Sequence, residues 1–135
     1  MRVVFDTNVV VAGIVAEGLC REILEIQVPE HTAILSPVLW DELVATLRRK
    51  FGLTPDDLPI LALYRQHASW CEPAKLAKTV SRDPDDDWVL ATAVAGDAEA
   101  IVSGDADLLT LGSYSGIQML SPRQFVSREA SSGRG

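Results

Sequence analysis

Arg2-Val3-Val4-Phe5-Asp6-Thr7-Asn8-Val9-Val10 is the stretch on which the fold turns. Three β-favouring apolar residues run straight into a carboxylate, so Arg2 to Asp6 reads as a short buried strand. The apolar pattern resumes at Val9 and continues to Val15, broken only by Gly13, which predicts a short helix directly after the strand. A carboxylate closing a buried strand needs a partner, because burying an unpaired charge is costly. Asp6 is therefore the first residue to follow.

Outward from this stretch the pattern alternates. Leu19 to Val28 carries apolar residues at the spacing of an amphipathic helix, and Pro29 stops it. Thr32 to Leu35 is a second short strand. Ser36-Pro37 is a strong helix start, with Ser as N-cap and Pro at the first helical position; the helix is predicted to reach about Phe51 and stop at Gly52. Arg48-Arg49-Lys50 put positive charge at its C-terminal end, as the dipole prefers. Thr54-Pro55-Asp56-Asp57 repeats the cap signature for a helix to about Trp70, and Ala74 to Val80 reads as a weaker strand or extended segment.

Asp83-Pro84-Asp85-Asp86-Asp87 opens an Ala-rich helix that runs to Ala95. Ala100 to Ser103 is a strand followed by Gly104-Asp105, Asp107 to Leu111 makes a helical turn, and Ile117 to Leu120 is the last strand. Ser121-Pro122 starts a terminal helix. Residues 1–129 are expected to form a single domain, and Ala130 to Gly135 a disordered tail. Short strands alternating with helices mean an α/β domain with a mainly parallel sheet.

Composition narrows the function. A chain of 135 residues, 47% of them hydrophobic, can build a real core and is not a disordered acidic polymer. No apolar run is long enough for a membrane span, and no apolar leader follows Met1, so a cytoplasmic protein without a membrane partner is the expectation. Cys20 and Cys71 stand in no metal-binding motif and are expected as buried thiols. His31 and His67 are isolated and expected at the surface or in loops, and Trp40, Trp70 and Trp88 in the core or at an interface. The net charge of −7 argues against a general nucleic-acid binder, because phosphate contacts need clustered Lys and Arg. Cations bound at one acidic site would offset part of that charge but not the nineteen acids together.

Where the acids fall is informative. Ligands of open α/β sheets bind at the carboxyl ends of the strands, and Asp6 and Asp105 both follow strands. Glu42 lies in the second turn of its helix, and Asp86 and Asp87 in the first turn of theirs. Singly, Glu42 reads as a solvated border residue, Asp83, Asp85, Asp86 and Asp87 as acids favoured by the helix dipole, and Asp105 as a turn cap. Together they would repel one another strongly in a low-dielectric cleft unless a cation held them. Oxygen-only ligands suit Mg²⁺ or Mn²⁺ over zinc.

At these residues the sequence resembles the PIN-domain ribonuclease family, and within it the bacterial and archaeal branch of toxin–antitoxin toxins (VapC-like in the broad sense). Asp6-Thr7-Asn8-Val9-Val10 resembles the opening motif, and Ser36-Pro37-Val38-Leu39-Trp40-Asp41-Glu42-Leu43 the helix carrying one Glu. Arg82-Asp83-Pro84-Asp85-Asp86-Asp87-Trp88-Val89-Leu90-Ala91 resembles the third motif. Ile101-Val102-Ser103-Gly104-Asp105-Ala106-Asp107-Leu108-Leu109 resembles the fourth, with Ser at a position where Thr is commoner. The likeness spans residues 1 to about 125, in order.

The resemblance implies a three-layer α/β/α domain with a mainly parallel central sheet. It implies an Mg²⁺- or Mn²⁺-dependent endoribonuclease, a homodimer, and a small antitoxin that blocks the site. Carried over position by position, Asp6, Glu42 and Asp105 would be metal ligands, joined by Asp86 or Asp87, with Asp86 favoured by the Asp-x-x-Asp spacing from Asp83. Asn8, Asp83, Ser103 and Asp107 would orient ligands or water. Arg48, Arg49, Lys50, Lys75 and Lys78 are the candidate contacts to an RNA backbone.

Other readings are a catalytically weak PIN-like binding module and, further off, a receiver-like or phosphatase α/β domain. A receiver needs a paired acid after the first strand and a late Lys. Here Asp6 stands alone and no Lys follows Lys78. A haloacid-type phosphatase needs Asp two residues after Asp6, where Asn8 stands.

Overall fold

The computed structural model describes residues 1–132. β1 (Arg2–Phe5) leads into α1 (Thr7–Val15), α2 (Leu19–Glu22) and β2 (Thr32–Leu35). Then come α3 (Pro37–Phe51), α4 (Pro59–His67), β3 (Ser69–Trp70), α5 (Pro84–Ala95) and β4 (Ala100–Val102). α6 (Ala106–Leu111), β5 (Ser113–Tyr114), β6 (Ile117–Leu120) and α7 (Pro122–Ser132) complete the order. The strands form one sheet in the order β3-β2-β1-β4-β6-β5, parallel throughout except for the β5–β6 hairpin. The domain is three-layered, and among the described residues no helix is long and apolar enough to cross a membrane.

This order positions the site. From β1 the chain steps outward to β2 and β3, then returns past β1 to β4 and builds outward the other way. The reversal falls between β1 and β4, where Val3, Val4 and Phe5 pair with Ala100, Ile101 and Val102. Crevices for ligands in such sheets open at this point, beyond the strand carboxyl ends. Both strands are buried on both faces, which is why they read as continuous apolar runs.

The strongest local signals have direct counterparts. The Ser36 hydroxyl accepts from the Leu39 amide, Pro37 occupies the first turn of α3, and Gly52 ends the helix at φ 64°, a left-handed conformation that costs glycine little. Ser36 Oγ also lies 2.8 Å from Thr92 Oγ1, tying the start of α3 to α5. Within α1, a side chain at Gly13 would meet the carbonyl oxygen of Cys20 at 2.8 Å, so the glycine is what lets α2 pack so closely.

Other expectations change. The helix foreseen over Leu19–Val28 is α2 followed by a wide π turn (Ile23–Gln27) and a tight 3₁₀ turn (Val28–Glu30). Pro29 lacks the amide that would continue regular α-helical bonding. The helix expected to reach Trp70 ends at His67, and Ser69–Trp70 becomes an edge strand because β2 would otherwise have an unpaired edge. Ala74–Val80 is not a strand. Its amide donors go to α5 instead of to the sheet: Ala74 N–H reaches the Ala91 carbonyl and Val80 N–H the Asp87 carboxylate. The β5–β6 hairpin, unforeseen, turns on Ser115 and Gly116, both with positive φ. α7 runs to Ser132, and residues 133–135 of the expected tail lie outside the described residues.

Phe125 of α7 is fully buried and meets Phe5 edge-on at 5.7 Å. His31 is not a surface residue: its ring lies 5.2 Å from Phe125 and its Nε2 is 3.1 Å from Glu129. Burial lowers its pKa, although the Glu129 carboxylate pulls the other way. Cys20 and Cys71 are free and only half-buried. Of the tryptophans, only Trp40 packs against the core. Trp70 and Trp88 are 41% and 45% exposed, and Trp40 is half-buried beneath Arg65.

Candidate active site

The site grows from the two strand ends at the sheet reversal. Asp6 follows β1 and is only 6% exposed; the Ser103 hydroxyl, just past β4, donates to its Oδ2 at 2.7 Å. The same Ser103 oxygen accepts from the Asp105 amide at 2.9 Å. One buried serine thus fixes two carboxylate-bearing residues from neighbouring strands. Asp105 then caps α6, its Oδ1 accepting from the amides of Asp107 and Leu108 at 2.8 and 3.1 Å.

α5 supplies the opposite wall. Asp83 is its N-cap, with Oδ1 accepting from the Asp85 amide at 2.9 Å. Asp86, 4% exposed, turns inward, and Ser81 Oγ donates to its Oδ2 at 3.0 Å. Oxygens of Asp83, Asp86 and Asp105 lie within 4.8 Å of one another, near enough to share one cation. Asp87 points elsewhere: its carboxylate accepts from the amides of Val80 and Ser81, the latter at 2.8 Å. α3 contributes Glu42, whose Oε2 accepts from the Thr7 hydroxyl at 3.3 Å.

The electrostatics are those of an uncompensated anionic pocket. Burial pushes Asp6 above the usual carboxylate range, and Asp105 and Asp83 add to the rise. Burial, then repulsion from Asp85 and Asp6, pushes Glu42 up to about 7. Burial pushes Asp86 up to about 6, reinforced by Asp105 and Asp83, while the Ser81 hydroxyl lowers it. The neighbouring charges that act most strongly on these groups are all carboxylates. Arg82, the nearest cation in sequence, is spent on Asp107 at 2.9 Å.

The comparisons fall on this same region. A family model described as the PIN domain matches residues 2–107, more than half of the chain and all of the residues just named. The chain belongs to the PIN-domain family. The fold of this PIN domain is shared with a crystal structure of VapBC2 from Rickettsia felis bound to a DNA fragment from their promoter. The match has a TM-score of 0.62 at 12% identity, covering 90% of this chain and 98% of that one. No curated protein matches the sequence.

The PIN domain brings together most, but not all, of the residues anticipated from sequence. Asp86 and Asp105 come together, Asp6 is joined to Asp105 through Ser103, and Glu42 lies outside that cluster but feels the charges of Asp85, Asp6 and Asp83. Asp83 sits within the carboxylate cluster rather than behind it. Asn8 is exposed and makes no side-chain hydrogen bond among the described residues; its neighbour Thr7, buried, makes the link to Glu42. Asp107 holds Arg82 on the outside. Thr7, Ser81 and Asp85 were missed. Thr7 lies inside the first motif and Ser81 just before the third, but nothing in their type or spacing distinguishes them from ordinary turn residues.

Proposed function

We propose that this PIN domain is an Mg²⁺- or Mn²⁺-dependent endoribonuclease, and that it is the toxin of a toxin–antitoxin pair. The observation that carries the reading is the triad of Asp83, Asp86 and Asp105 oxygens beside buried Asp6, where the neighbouring charges that act most strongly are themselves carboxylates. A donor set made only of carboxylate oxygens fits a hard divalent cation. Asp6, Glu42, Asp86 and Asp105 are its proposed ligands, and Asp83 joins them by geometry. Asp87 is not among them, because its oxygens are occupied by backbone amides.

A bound ion would supply Lewis acidity for hydrolysis of an RNA phosphodiester. The protein does the positioning. Ser103 keeps the Asp6 carboxylate aimed into the crevice, Ser81 does the same for Asp86, and Thr7 steadies Glu42. Glu42, lifted to about 7 without a cation, would give up its proton when one binds, so uptake of the ion should release protons near neutral pH. The partners are an RNA substrate, a second copy of the chain and a small antitoxin, in the cytoplasm. The antitoxin assignment draws on the likeness to VapBC2, and dimerisation on the prevalence of two-fold assemblies.

The test is Mn²⁺ titration by calorimetry, followed by cleavage of a mixed RNA pool with and without Mn²⁺. Wild type is expected to take up the ion and cleave; Asp6→Asn is expected to lose cleavage while its circular dichroism spectrum stays unchanged. Cleavage by Asp6→Asn with normal Mn²⁺ affinity would show that the site is elsewhere. No metal uptake at neutral pH would leave a binding module.

A further inference from the structure

An acidic nuclease needs some way to hold a polyanion, and several of its arginines are already engaged within the fold. Arg2 and Arg21 donate to backbone carbonyls of Gly96, Gly13 and Ile14. Arg65 lies over Trp40, Arg82 pairs with Asp107, and Arg128 donates to Gln118. Lys75 and Lys78 are exposed and, like Arg48, Arg49, Lys50 and Arg123, make no ion pair among the described residues; what sets the two lysines apart is their setting. They line one groove of about 530 Å³ together with Trp88, whose indole is 45% exposed.

The groove is built and held in place. The segment bearing the lysines is clamped onto α5 at both ends. Ala74 donates to the Ala91 carbonyl at one end, and Val80 and Ser81 donate to the Asp87 carboxylate at the other. Asp87 keeps its negative charge at this end of the groove, with its oxygens turned to the amides of the strap, and the two lysines offset it. Trp88 follows the carboxylate-bearing turn directly. It lies three residues after Asp85, hence on the same side of α5, and Asp85 is the acid that acts most strongly on Glu42. The platform thus stands one turn along α5 from Asp85, on a face about 200° around the helix from the crevice-facing Asp86.

We propose that Trp88, Lys75 and Lys78 form a cradle for single-stranded RNA, the indole stacking an unpaired base while the two ammonium groups hold flanking phosphates. Aromatic faces stack any base, and a nearby cationic groove tracks the backbone. Sequence-tolerant grip on unpaired RNA, and poor grip on duplex whose bases are already stacked, follow from that geometry. A second aromatic patch, Trp40 with Trp70, is self-contained: Trp70 Nε1 donates to the Arg65 carbonyl at 3.0 Å and Arg65 covers Trp40; Phe51, also exposed, ends α3 away from this groove's lining. The cradle rests on the ribonuclease reading but can be tested apart from it.

The experiment measures a fluorescein-labelled, unstructured oligoribonucleotide by anisotropy in the Asp6→Asn background with Mn²⁺, and KM for the same RNA in the otherwise wild-type chain. Trp88→Ala is expected to weaken binding roughly ten- to a hundredfold, as loss of a base–aromatic stack does, with Trp88→Phe recovering most of it. Lys75→Ala/Lys78→Ala is expected to make the slope of log Kd against log salt shallower by about 1.4, two phosphates' worth on a single strand. Mn²⁺ affinity and Tm should not move in any of them. Unchanged RNA affinity, KM and salt slope in a chain that cleaves RNA would overturn the cradle and leave the nuclease. Trp88-dependent binding in a chain that never cleaves would support the cradle and overturn the nuclease. Variants that keep RNA but lose a co-purifying protein would overturn the cradle in favour of a partner surface.

Discussion

Asp86 and Asp87 are adjacent, identical in type and both in the first turn of α5, yet they do different things. A helix advances about 100° per residue, which turns Asp86 to the crevice and Asp87 to the strap of residues 74–81. Exchanging them for Asn should separate the roles. Asp86→Asn is expected to weaken Mn²⁺ binding by on the order of a hundredfold, in the range that perturbing a metal site costs. Asp87→Ala should leave Mn²⁺ affinity unchanged and lower stability by about 1–3 kcal/mol, because two backbone amides lose their acceptor. Calorimetry and urea unfolding read the two effects. Equal Mn²⁺ losses in both variants would contradict the assignment. Sequence alone narrowed the choice to this pair; a one-residue rotation around the helix lies below what motif spacing resolves.

Elements behave according to how much of their conformation is locally encoded. α3 was legible almost to the residue, because Ser36, Pro37 and Gly52 write its ends chemically. β1, β2 and β6 were legible as apolar runs. β3, the strap and the π turn were not, since each is set by a partner remote in sequence: the edge of β2, the backbone and Asp87 of α5, and the packing of α2 on α1. α7 lies beyond the segment matched to the family, but Phe125 carries it into the core against Phe5 and His31. Phe125→Ala is expected to cost about 3–5 kcal/mol, the usual range for emptying a buried aromatic site. A shift in the urea midpoint at constant m would show it; a change within 1 kcal/mol would mean α7 is dispensable to the core.

At the scale of the molecule, the carboxylate pocket is a conditional liability. Glu42 rises from an ordinary 4.5 to about 7 and Asp86 from 3.8 to about 6. Both folded values exceed the unfolded ones, so the folded state holds extra protons between them. That contribution to stability is full below about 4 and is lost as pH rises through 6 to 7. The metal-free domain should therefore show a lower Tm at pH 7.5 than at pH 5. Saturating Mn²⁺ should reverse the order, since it binds the ionised pocket and adds about 2.7 kcal/mol at a hundred times its Kd. Thermal scans in EDTA and in Mn²⁺ at both pH values check the sign, and a Tm indifferent to pH and to Mn²⁺ would remove the cation from the argument. By itself the sequence determined the α/β order, the capped helices and the residue types that suit a hard cation, because capping and apolar periodicity are local properties. Only the tertiary structure decided that Asp83 joins Asp86 and Asp105, that Asp87 does not, and that Ser103 links two strand ends. Those relations depend on side-chain direction across elements up to 97 residues apart, and no local rule carries that information.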